Sequence, residues 1–205
     1  MKTLKVKIQL NQEMLATNPN NESLYRDFIA SKAPEGKSVE DEIEMLGPDE
    51  YADRQMTVFH RDHKDRPCLC DYHIKGFMKD ACNALRKVPG TQSSKLKAYK
   101  KAIDGLIFVY PRFIPIEFEG DVDYCERSLR AQTPQGDRVA LACSETVPED
   151  AIMNIEISMI DETLEEFVRE CLDYGAYKGL GCWRNAGFGR FSYVVQDEET
   201  GDWRI

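Results

Sequence analysis

The stretch Gly175-Ala-Tyr-Lys-Gly-Leu-Gly-Cys-Trp-Arg-Asn-Ala-Gly-Phe-Gly-Arg-Phe191 differs from the rest of the chain in composition. It carries five glycines, three basic residues and four aromatic residues without an acid, whereas the whole chain of 205 residues has a formal net charge of -9. Glycine has no Cβ, so its backbone adopts positive φ and brings N–H groups close to an anion. This composition predicts phosphate contacts by backbone amides and by cations. The residues concerned are Lys178, Gly179, Gly181, Arg184, Gly187, Gly189 and Arg190. A glycine-rich turn that only leads into the last strand has the same composition.

A helix and a strand are predicted on either side of this stretch. Thr163 and Glu166 have the spacing of a capping box, and apolar residues at helical spacing predict a helix over 162–174. Alternating residues predict a strand over 187–196. Between them, the rings of Trp183 and Phe188 can stack on bases. The order of helix, glycine-rich loop and terminal strand resembles the C-terminal end of the RAMP superfamily, the RNA-binding proteins of CRISPR systems, in which this loop contacts RNA.

Two other stretches carry the same resemblance. Residues 59–87 are similar to the backbone, or repeated, subunit of type III effector complexes, in which an Arg-Asp hairpin runs through a proline into a serine-leucine-lysine-glycine turn that opens the first helix. His73, Ile74, Lys75 and Gly76 occupy that turn here, and the resemblance implies that Lys75 and Gly76 contact RNA. Residues 145–157 resemble the family's proline turn before its third strand.

The departures from the family pattern concern catalysis. Tyr72 and His73 stand where the family has serines, and Met56 stands where its RNA-cleaving aspartate belongs. Asp53 lies upstream in a different context, so the resemblance does not carry ribonuclease activity to it. His73 would be the general acid or base if the chain were a guide-processing endoribonuclease. Those enzymes usually contain two tandem ferredoxin-like units and this chain has sequence for one, so we expect no enzymatic activity.

The coarse pattern predicts a single α+β domain over 1–205. The predicted elements are strand 3–10, helical insertion 22–47, hairpin 56–70, helix 73–88, strand 105–118, hairpin 125–147, strand 151–160, helix 162–174 and strand 187–196. Without insertions at approximately 20–70 and 120–148, the order is βαββαβ, that of a ferredoxin-like, RRM-type core. The composition, 42% hydrophobic and 31% charged, suits a globular protein. No long apolar run indicates a signal peptide or membrane span, and the seven cysteines are irregularly spaced, so we expect a cytosolic protein with reduced thiols.

Charge is distributed unevenly along the chain. The predicted first helix carries a basic stripe of Lys75, Lys79 and Arg86, which the lysines of the next segment extend. Those lysines are Lys87, Lys95, Lys97, Lys100 and Lys101. This stripe is either part of an RNA surface or an ordinary solvated face. Residues 35–53 are strongly acidic and are either an arm that meets a basic neighbour or a solubilising segment.

His60, His63, Cys68 and Cys70 are ligand types that Zn²⁺ prefers. Their His-x₂-His and Cys-x-Cys spacings are tighter than those of zinc fingers, and the two cysteines point to one face if they lie on a strand. These residues are a candidate structural zinc site, and the sequence requires no other cofactor.

These observations predict a non-catalytic protein that binds single-stranded RNA, such as guide RNA, through the glycine-rich loop and the basic first helix. Its expected partners are this RNA and other CRISPR complex subunits or copies of itself, without a membrane. A phage-borne, RAMP-like interaction protein that binds or blocks a CRISPR complex is the first alternative, because it suits the acidity and the missing aspartate. The histidine-dependent guide-RNA processing endoribonuclease is the second.

Overall fold

A computed structural model describes residues 1–20, 56–133, 136–197 and 201–204. The predicted helical insertion at 22–47 and the acidic segment at 35–53 lie outside the described residues. The strands are β1 (Lys2–Leu10), β2 (Met14–Leu15), β3 (Asn18–Pro19), β4 (Thr57–Val58), β5 (His60–Arg61), β6 (Pro67–Cys70), β7 (Ile107–Tyr110), β8 (Phe113–Pro115), β9 (Asp123–Thr133), β10 (Gly136–Val147), β11 (Ile152–Met159), β12 (Phe191–Gln196) and β13 (Trp203–Arg204). The described helices are α1 (Asp71–Leu85), α2 (Gln92–Lys95), α3 (Tyr99–Leu106) and α4 (Glu165–Asp173).

The chain forms two compact units. The first contains Met1–Leu15, His60–Val122 and Val147–Ile205, and the second contains Ala16–Phe59 and Asp123–Thr146. The α+β class expected from the sequence is confirmed, and the description as one domain with insertions stays a prediction. None of the helices in the described part of the chain is long and apolar enough to cross a membrane.

A five-stranded antiparallel sheet forms the first unit, in the order β13-β12-β1-β11-β7. Its central strand β1 alternates in burial, because Leu4, Val6, Ile8 and Leu10 point into the core while the residues between them are more exposed. The same alternation in β11 buries Met153, Ile155, Ile157 and Met159. One face of the sheet is therefore apolar, and other elements must pack on it to exclude water.

Helices α1 and α4 cover that apolar face. Phe77 of α1 meets Phe191 of β12 edge to face, with ring centroids 5.2 Å apart. Tyr193 of β12 donates through its hydroxyl to Asp173 of α4 at 2.9 Å. The buried residues of the two helices recur at helical spacing, as the sequence pattern predicted. They are Ile74, Phe77, Met78, Ala81 and Cys82 in α1, and Phe167, Val168, Cys171 and Leu172 in α4.

Within the described residues, the predicted elements agree with the structure apart from their bounds and one strand. The predicted strand 105–118 is wrong as a single element, because α3 continues to Leu106 and Pro111 separates β7 from β8. Proline has no N–H to donate to a strand ladder, which explains the interruption. The predicted helix 73–88 begins earlier and ends earlier, at Asp71 and Leu85. Strand β12, predicted over 187–196, begins at Phe191, after the glycine-rich loop.

The second unit is built on the long hairpin of β9 and β10, which pair antiparallel from Asp123 to Thr146. Strand β4 joins β10 in parallel at Thr57 and Ser144, whose hydroxyls hydrogen-bond at 2.7 Å. The buried Glu145 carboxylate accepts from the backbone N–H of Phe59 at 2.7 Å. A carboxylate that receives such a bond satisfies a buried donor and fixes the neighbouring segment.

Candidate nucleic-acid interface

The glycine-rich loop, residues 175–190, connects α4 to β12 through two short 3₁₀ turns at Tyr174–Ala176 and Arg184–Ala186. Trp183 precedes the second turn with φ +49°, a conformation that few residues other than glycine adopt. Gly181 and Gly189 have φ values of +78° and +69°. The loop therefore needs glycine at both positions for its path.

Close backbone packing is the second reason for glycine in this loop. A Cβ on Gly179 would lie 2.0 Å from the carbonyl carbon of Gly189, and a Cβ on Gly189 would lie 2.0 Å from the oxygen of Leu180. The two segments of the loop that meet there are joined by the Leu180 N–H, which donates to the Gly189 carbonyl at 2.9 Å. Gly181 is equally close to the Leu15 oxygen, at 2.4 Å from an added Cβ. These three glycines let backbone pack against backbone.

Two of the amides that the sequence assigned to phosphates are used inside the chain. The N–H of Gly189 donates to the Glu13 carbonyl at 2.7 Å, and the N–H of Gly187 donates to the Arg184 carbonyl at 3.1 Å. An amide that already donates within the fold has little to offer an anion. Both amides therefore stabilise the path of the loop, and their expected contact with phosphate stays a prediction.

The basic side chains of the loop reach helix α1 through a shared carboxylate. Arg184 lies 3.0 Å and Lys178 lies 3.5 Å from Oδ2 of Asp80. All three side chains are about one third exposed, so the pairs contribute at most about 1 kcal/mol each. Arg190 is exposed, and its guanidinium carbon lies 3.6 Å from the position of a Cβ on Gly187. The loop and the first helix thus form one continuous surface around Asp80.

Two aromatic rings of the loop lie face to face. Trp183 and Phe188 stack with ring centroids 5.3 Å apart and an interplanar angle of 15°. Trp183 keeps 43% of its surface exposed, whereas Phe188 is half-buried. A stacked pair with one exposed ring offers a planar surface on which a base can continue the stack.

The two predicted lysines of helix α1 are held by α3. Lys79 pairs with the Asp104 carboxylate at 2.6 Å, and Lys75 donates to the Asp104 carbonyl at 3.5 Å while its ammonium lies 4.9 Å from the centre of the Phe108 ring. Gly76 is exposed, and nothing lies within 4 Å of the position of an added Cβ. The helix surface at Gly76 is therefore exposed, whereas Gly179 and Gly189 of the loop pack against backbone.

Glu170 of α4 anchors the lysine-rich segment after α1. Its carboxylate accepts from the N–H groups of Gln92 and Ser93 at 2.7 and 2.9 Å, and from the Ser93 hydroxyl at 2.6 Å. These bonds satisfy the first amides of α2, which have no partner within the helix. The lysines around this anchor are exposed. Their exposure is compatible with both interpretations of the basic stripe, an RNA surface and an ordinary solvated face. These lysines are Lys87, Lys95, Lys97, Lys100 and Lys101.

The predicted zinc cluster does not form. Within the described residues, which include His60, His63, Cys68 and Cys70, no three His, Cys, Asp or Glu side chains come together in a group that could hold a metal ion. Cys68 and Cys70 are buried, and burial raises the pKa of the Cys68 thiol to about 11. The Cys68 thiol donates to the His60 carbonyl at 3.3 Å. Protonated, buried thiols pack as small apolar groups, which is the physical reason for the correction.

His73 caps the first helix. Its Nδ1 accepts from the N–H of Cys70 at 3.0 Å, and the Cys70 side chain faces the His73 amide in return, as in a capping box. Burial, together with the nearby His60 ring, lowers the pKa of His73 to about 4, and Asp71 partly opposes this shift. The neutral His73 ring therefore stabilises the N-terminus of α1 by accepting a backbone hydrogen bond through Nδ1.

Arg112 and Tyr72 belong to a surface that sequence reasoning missed. The Arg112 guanidinium pairs with Asp71 at 2.9 Å and lies 5.6 Å from the centre of the Tyr72 ring. Phe113 and Tyr110, on either side of Arg112 in the sequence, are 46% and 52% exposed. The run Tyr110-Pro-Arg-Phe113 was the available signal, because large aromatic residues around a cation are unusual on a surface without a partner.

The fold is similar to that of a chain in the cryo-EM structure of the Type III-B Cmr-beta bound to cognate target RNA, with a TM-score of 0.52 and 11% identity over 95% of this chain. That alignment covers 61% of the Cmr-beta chain, so the protein spans less than two thirds of its length. A chain of a Type IV-B CRISPR complex aligns over 97% of this chain and 92% of its own, with a TM-score of 0.49 and 10% identity. Cmr6 from Pyrococcus furiosus aligns over 93% of this chain and 97% of its own, with a TM-score of 0.47 and 13% identity.

No protein-family model and no curated protein matches the sequence. The likeness to the Cmr-beta chain therefore concerns the fold, and identity is too low to transfer residue roles. The fold that the sequence resemblance implied is thus similar to that of a chain from a CRISPR complex.

Proposed function

We propose that this protein is a non-catalytic, RAMP-like CRISPR effector subunit that binds single-stranded RNA by its backbone. Its first unit would be a ferredoxin-like, RRM-type core. The chain order β1, α1, β7, β11, α4, β12 supports this description, as does the spatial order β12-β1-β11-β7 with both helices on one face. The Cmr-beta complex that shares this fold was determined with cognate target RNA.

The observation that carries the proposal is the meeting of the loop and the first helix at Asp80. Because Lys178 and Arg184 both reach this carboxylate, the exposed Arg190, the stacked Trp183 and the open helix surface at Gly76 belong to one surface. Cations that contact phosphates beside a ring that stacks on a base are the combination by which proteins hold single strands without sequence preference. RNA would displace Asp80 from these cations or bind beside it.

The absence of catalysis is part of the proposal. Met56 occupies the position of the family's cleaving aspartate, and His73 is a neutral capping residue whose pKa lies far below neutrality. A general acid or base works best with a pKa near the working pH. We therefore expect bound RNA to remain intact in the presence of divalent metal ions. Cleavage that His73→Ala abolishes would favour the processing enzyme instead.

Charge reversal in the loop tests RNA binding directly. We would measure the affinity for single-stranded RNA as a function of salt for the native chain, for Arg190→Glu and for Arg184→Glu with Arg190→Glu. Each lost phosphate contact lowers the salt slope by about 0.7 for a single strand, so the double variant should lose about twice as much as the single one.

Lys64→Glu is the matched control, because Lys64 is an exposed cation in the turn between β5 and β6 and makes the same change in net charge. This variant should bind almost as well as the native chain. Equal losses in Lys64→Glu and Arg190→Glu would indicate net charge rather than a site. A native chain without salt-sensitive RNA binding would contradict the proposal.

Carboxylates at the centre of the surface favour one second candidate. Asp80 and Asp104 already neutralise Lys178, Arg184 and Lys79, which suits a phage-borne protein that uses the same shape to bind or block a CRISPR complex. Such a protein would fail the RNA assay and would bind an assembled effector complex in a pull-down. The RNA assay therefore separates the two candidates.

A further inference from the structure

None of the described helices covers the second face of the five-stranded sheet, which is called the helix-free face below. This face contains a groove that the glycine-rich loop does not line. Its volume is about 740 Å³. Most of its lining comes from residues that alternate with the buried positions of the strands, so it opens on the face opposite α1 and α4. Its polar and aromatic lining includes Lys5, Tyr110, Arg112, Asn154, Gln196 and Trp203.

The register of the strands places the ends of this groove. Tyr110 pairs with Glu156, and Glu156 pairs with Lys5. Because Val6 pairs with Val195, the next residues, Lys5 and Gln196, lie side by side, and Gln196 pairs with Trp203. These residues therefore follow one row across the sheet. The row crosses five strands, from β7 at one edge to β13 at the other. With strands about 4.8 Å apart, Tyr110 and Trp203 stand roughly 19 Å apart at opposite ends. One base cannot span that distance, whereas a short strand of nucleotides can.

Both ends of the groove expose aromatic rings. Tyr110 is 52% and Trp203 is 40% exposed. Lys7 places its ammonium 4.5 Å from the centre of the Trp203 ring, which fixes this indole at the sheet surface. Exposed rings at fixed positions are the platforms on which unpaired bases stack.

Cations outnumber acids along the groove. Lys5 and Arg112 line it and Lys7 lies beside Trp203, against the carboxylate of Glu156 in the lining and that of Asp71, which pairs with Arg112 at 2.9 Å. Among the described residues, no carboxylate forms an ion pair with Lys5 or Lys7. The exposed amide of Asn154 can donate to and accept from base edges. This charge balance favours an anionic occupant, and the rings favour one with planar bases.

We propose that the helix-free face binds a short stretch of single-stranded nucleic acid across the strands, with one base on Tyr110, another on Trp203 and the intervening phosphates near Lys5 and Arg112. This site lies on a different face of the sheet from the loop and helix surface and does not depend on it. A chain with both sites would hold a single strand on two sides of one sheet.

The two tryptophans of the chain give each site its own signal. Trp183→Phe leaves Trp203 as the only tryptophan, and Trp203→Phe leaves Trp183. We would titrate each full-length variant with a short single-stranded oligoadenylate and with an abasic ribose-phosphate oligomer of the same length, and record tryptophan fluorescence. Oligoadenylate should quench Trp203, and the abasic oligomer should not, because stacking requires the base.

A second substitution tests the other end of the groove. In the Trp183→Phe background, Tyr110→Ala should weaken the affinity that Trp203 quenching reports by about tenfold. Tyr124→Ala, which removes an exposed tyrosine of the second unit, is the matched control and should leave it unchanged. An oligodeoxyadenylate that quenches Trp203 equally would assign the contact to the base rather than the ribose.

The outcomes separate this site from the proposed function. Quenching of Trp183 without quenching of Trp203 would overturn the groove and leave RNA binding by the loop intact. Quenching of Trp203 alone would support the groove while the loop proposal fails. Equal quenching of Trp203 by the abasic oligomer would overturn base stacking. Self-association that Tyr110→Ala abolishes, without nucleotide binding, would assign the groove to a second copy of the chain.

Discussion

Glycines in the loop and in the first helix serve opposite purposes. Gly179 and Gly189 stand where backbone packs against backbone, and an added Cβ at either would lie 2.0 Å from another backbone atom. Gly76 lies on the exposed side of α1 with nothing within 4 Å of the same position. The sequence assigned both sets to RNA contact. The structure gives the first set a folding role and leaves the second as open surface.

This contrast decides which substitutions can report on binding. A change at Gly179 or Gly189 alters the loop itself, so a loss of RNA affinity there would not identify a contact. Changes at Gly76, Arg190 or Asp80 leave the packing intact and report on the surface. The same distinction explains why three of the loop glycines are needed even without a ligand.

The largest expected effect is on stability, in Gly189→Ala. A methyl group there meets the Leu180 carbonyl at a positive φ, so we expect a loss of about 3 kcal/mol in the free energy of unfolding. Gly76→Ala is the matched comparison and should raise stability by about 0.5–1 kcal/mol, because alanine costs less entropy in a helix. Denaturant unfolding measures both. Equal effects of the two substitutions would remove the contrast between loop and helix.

A smaller effect is expected on affinity, in Asp80→Asn. The change releases Lys178 and Arg184 from a shared carboxylate, so single-stranded RNA should bind about threefold more tightly at low salt. Asp104→Asn, which releases Lys79 on the helix side, should have less effect because it frees fewer loop cations. Weaker binding of Asp80→Asn would mean that this carboxylate positions the cations for RNA rather than competing with it.

A third effect concerns the pH dependence of the helix cap. Burial lowers the pKa of His73 from 6.5 to about 4, so the unfolded chain takes up this proton first as the pH falls. The stability contributed by the neutral ring is therefore complete above pH 6.5 and is lost as the pH falls from 6.5 to about 4. We expect a loss of about 1 kcal/mol, because the ring is partly exposed.

His73→Gln separates the cap from the titration. Glutamine at this position of a helix still accepts from the N–H of Cys70 but carries no proton, so unfolding should lose much of its pH dependence at unchanged stability near neutrality. His73→Ala, which removes the acceptor, should be less stable throughout. His60, whose pKa is also lowered by burial, contributes the remaining dependence in this region.

Local patterns predicted the elements of the fold and where the loop lies in the chain. The alternation of β1 and the helical stripe of α1 each follow from burial on one side, which residue periodicity records directly. The break between β7 and β8 at Pro111 could also have been read from the sequence, because proline interrupts a ladder.

Contacts between distant segments could not be predicted in the same way. The pairs of Asp80 with Arg184 and Lys178 join residues about a hundred positions apart, and nothing in either segment indicates the other. The zinc cluster failed for a related reason, since the spacing of His60 and Cys68 is compatible with ligation, whereas burial of the thiols opposes it. The residue types predicted which chemical groups the surface carries, whereas tertiary packing determined which of these groups are paired, buried or exposed.

Mapping of RNA crosslinks shows whether the glycine-rich loop and α1 bind RNA as one surface. Single-stranded RNA that carries photoreactive bases would be crosslinked to the full chain, and the modified residues identified by mass spectrometry. We expect crosslinks at Trp183 or Phe188 in the loop together with crosslinks on α1 around Lys75 and Lys79, because Asp80 joins these elements into one surface. Crosslinks that are absent from both the loop and α1, in RNA that is bound, would contradict it.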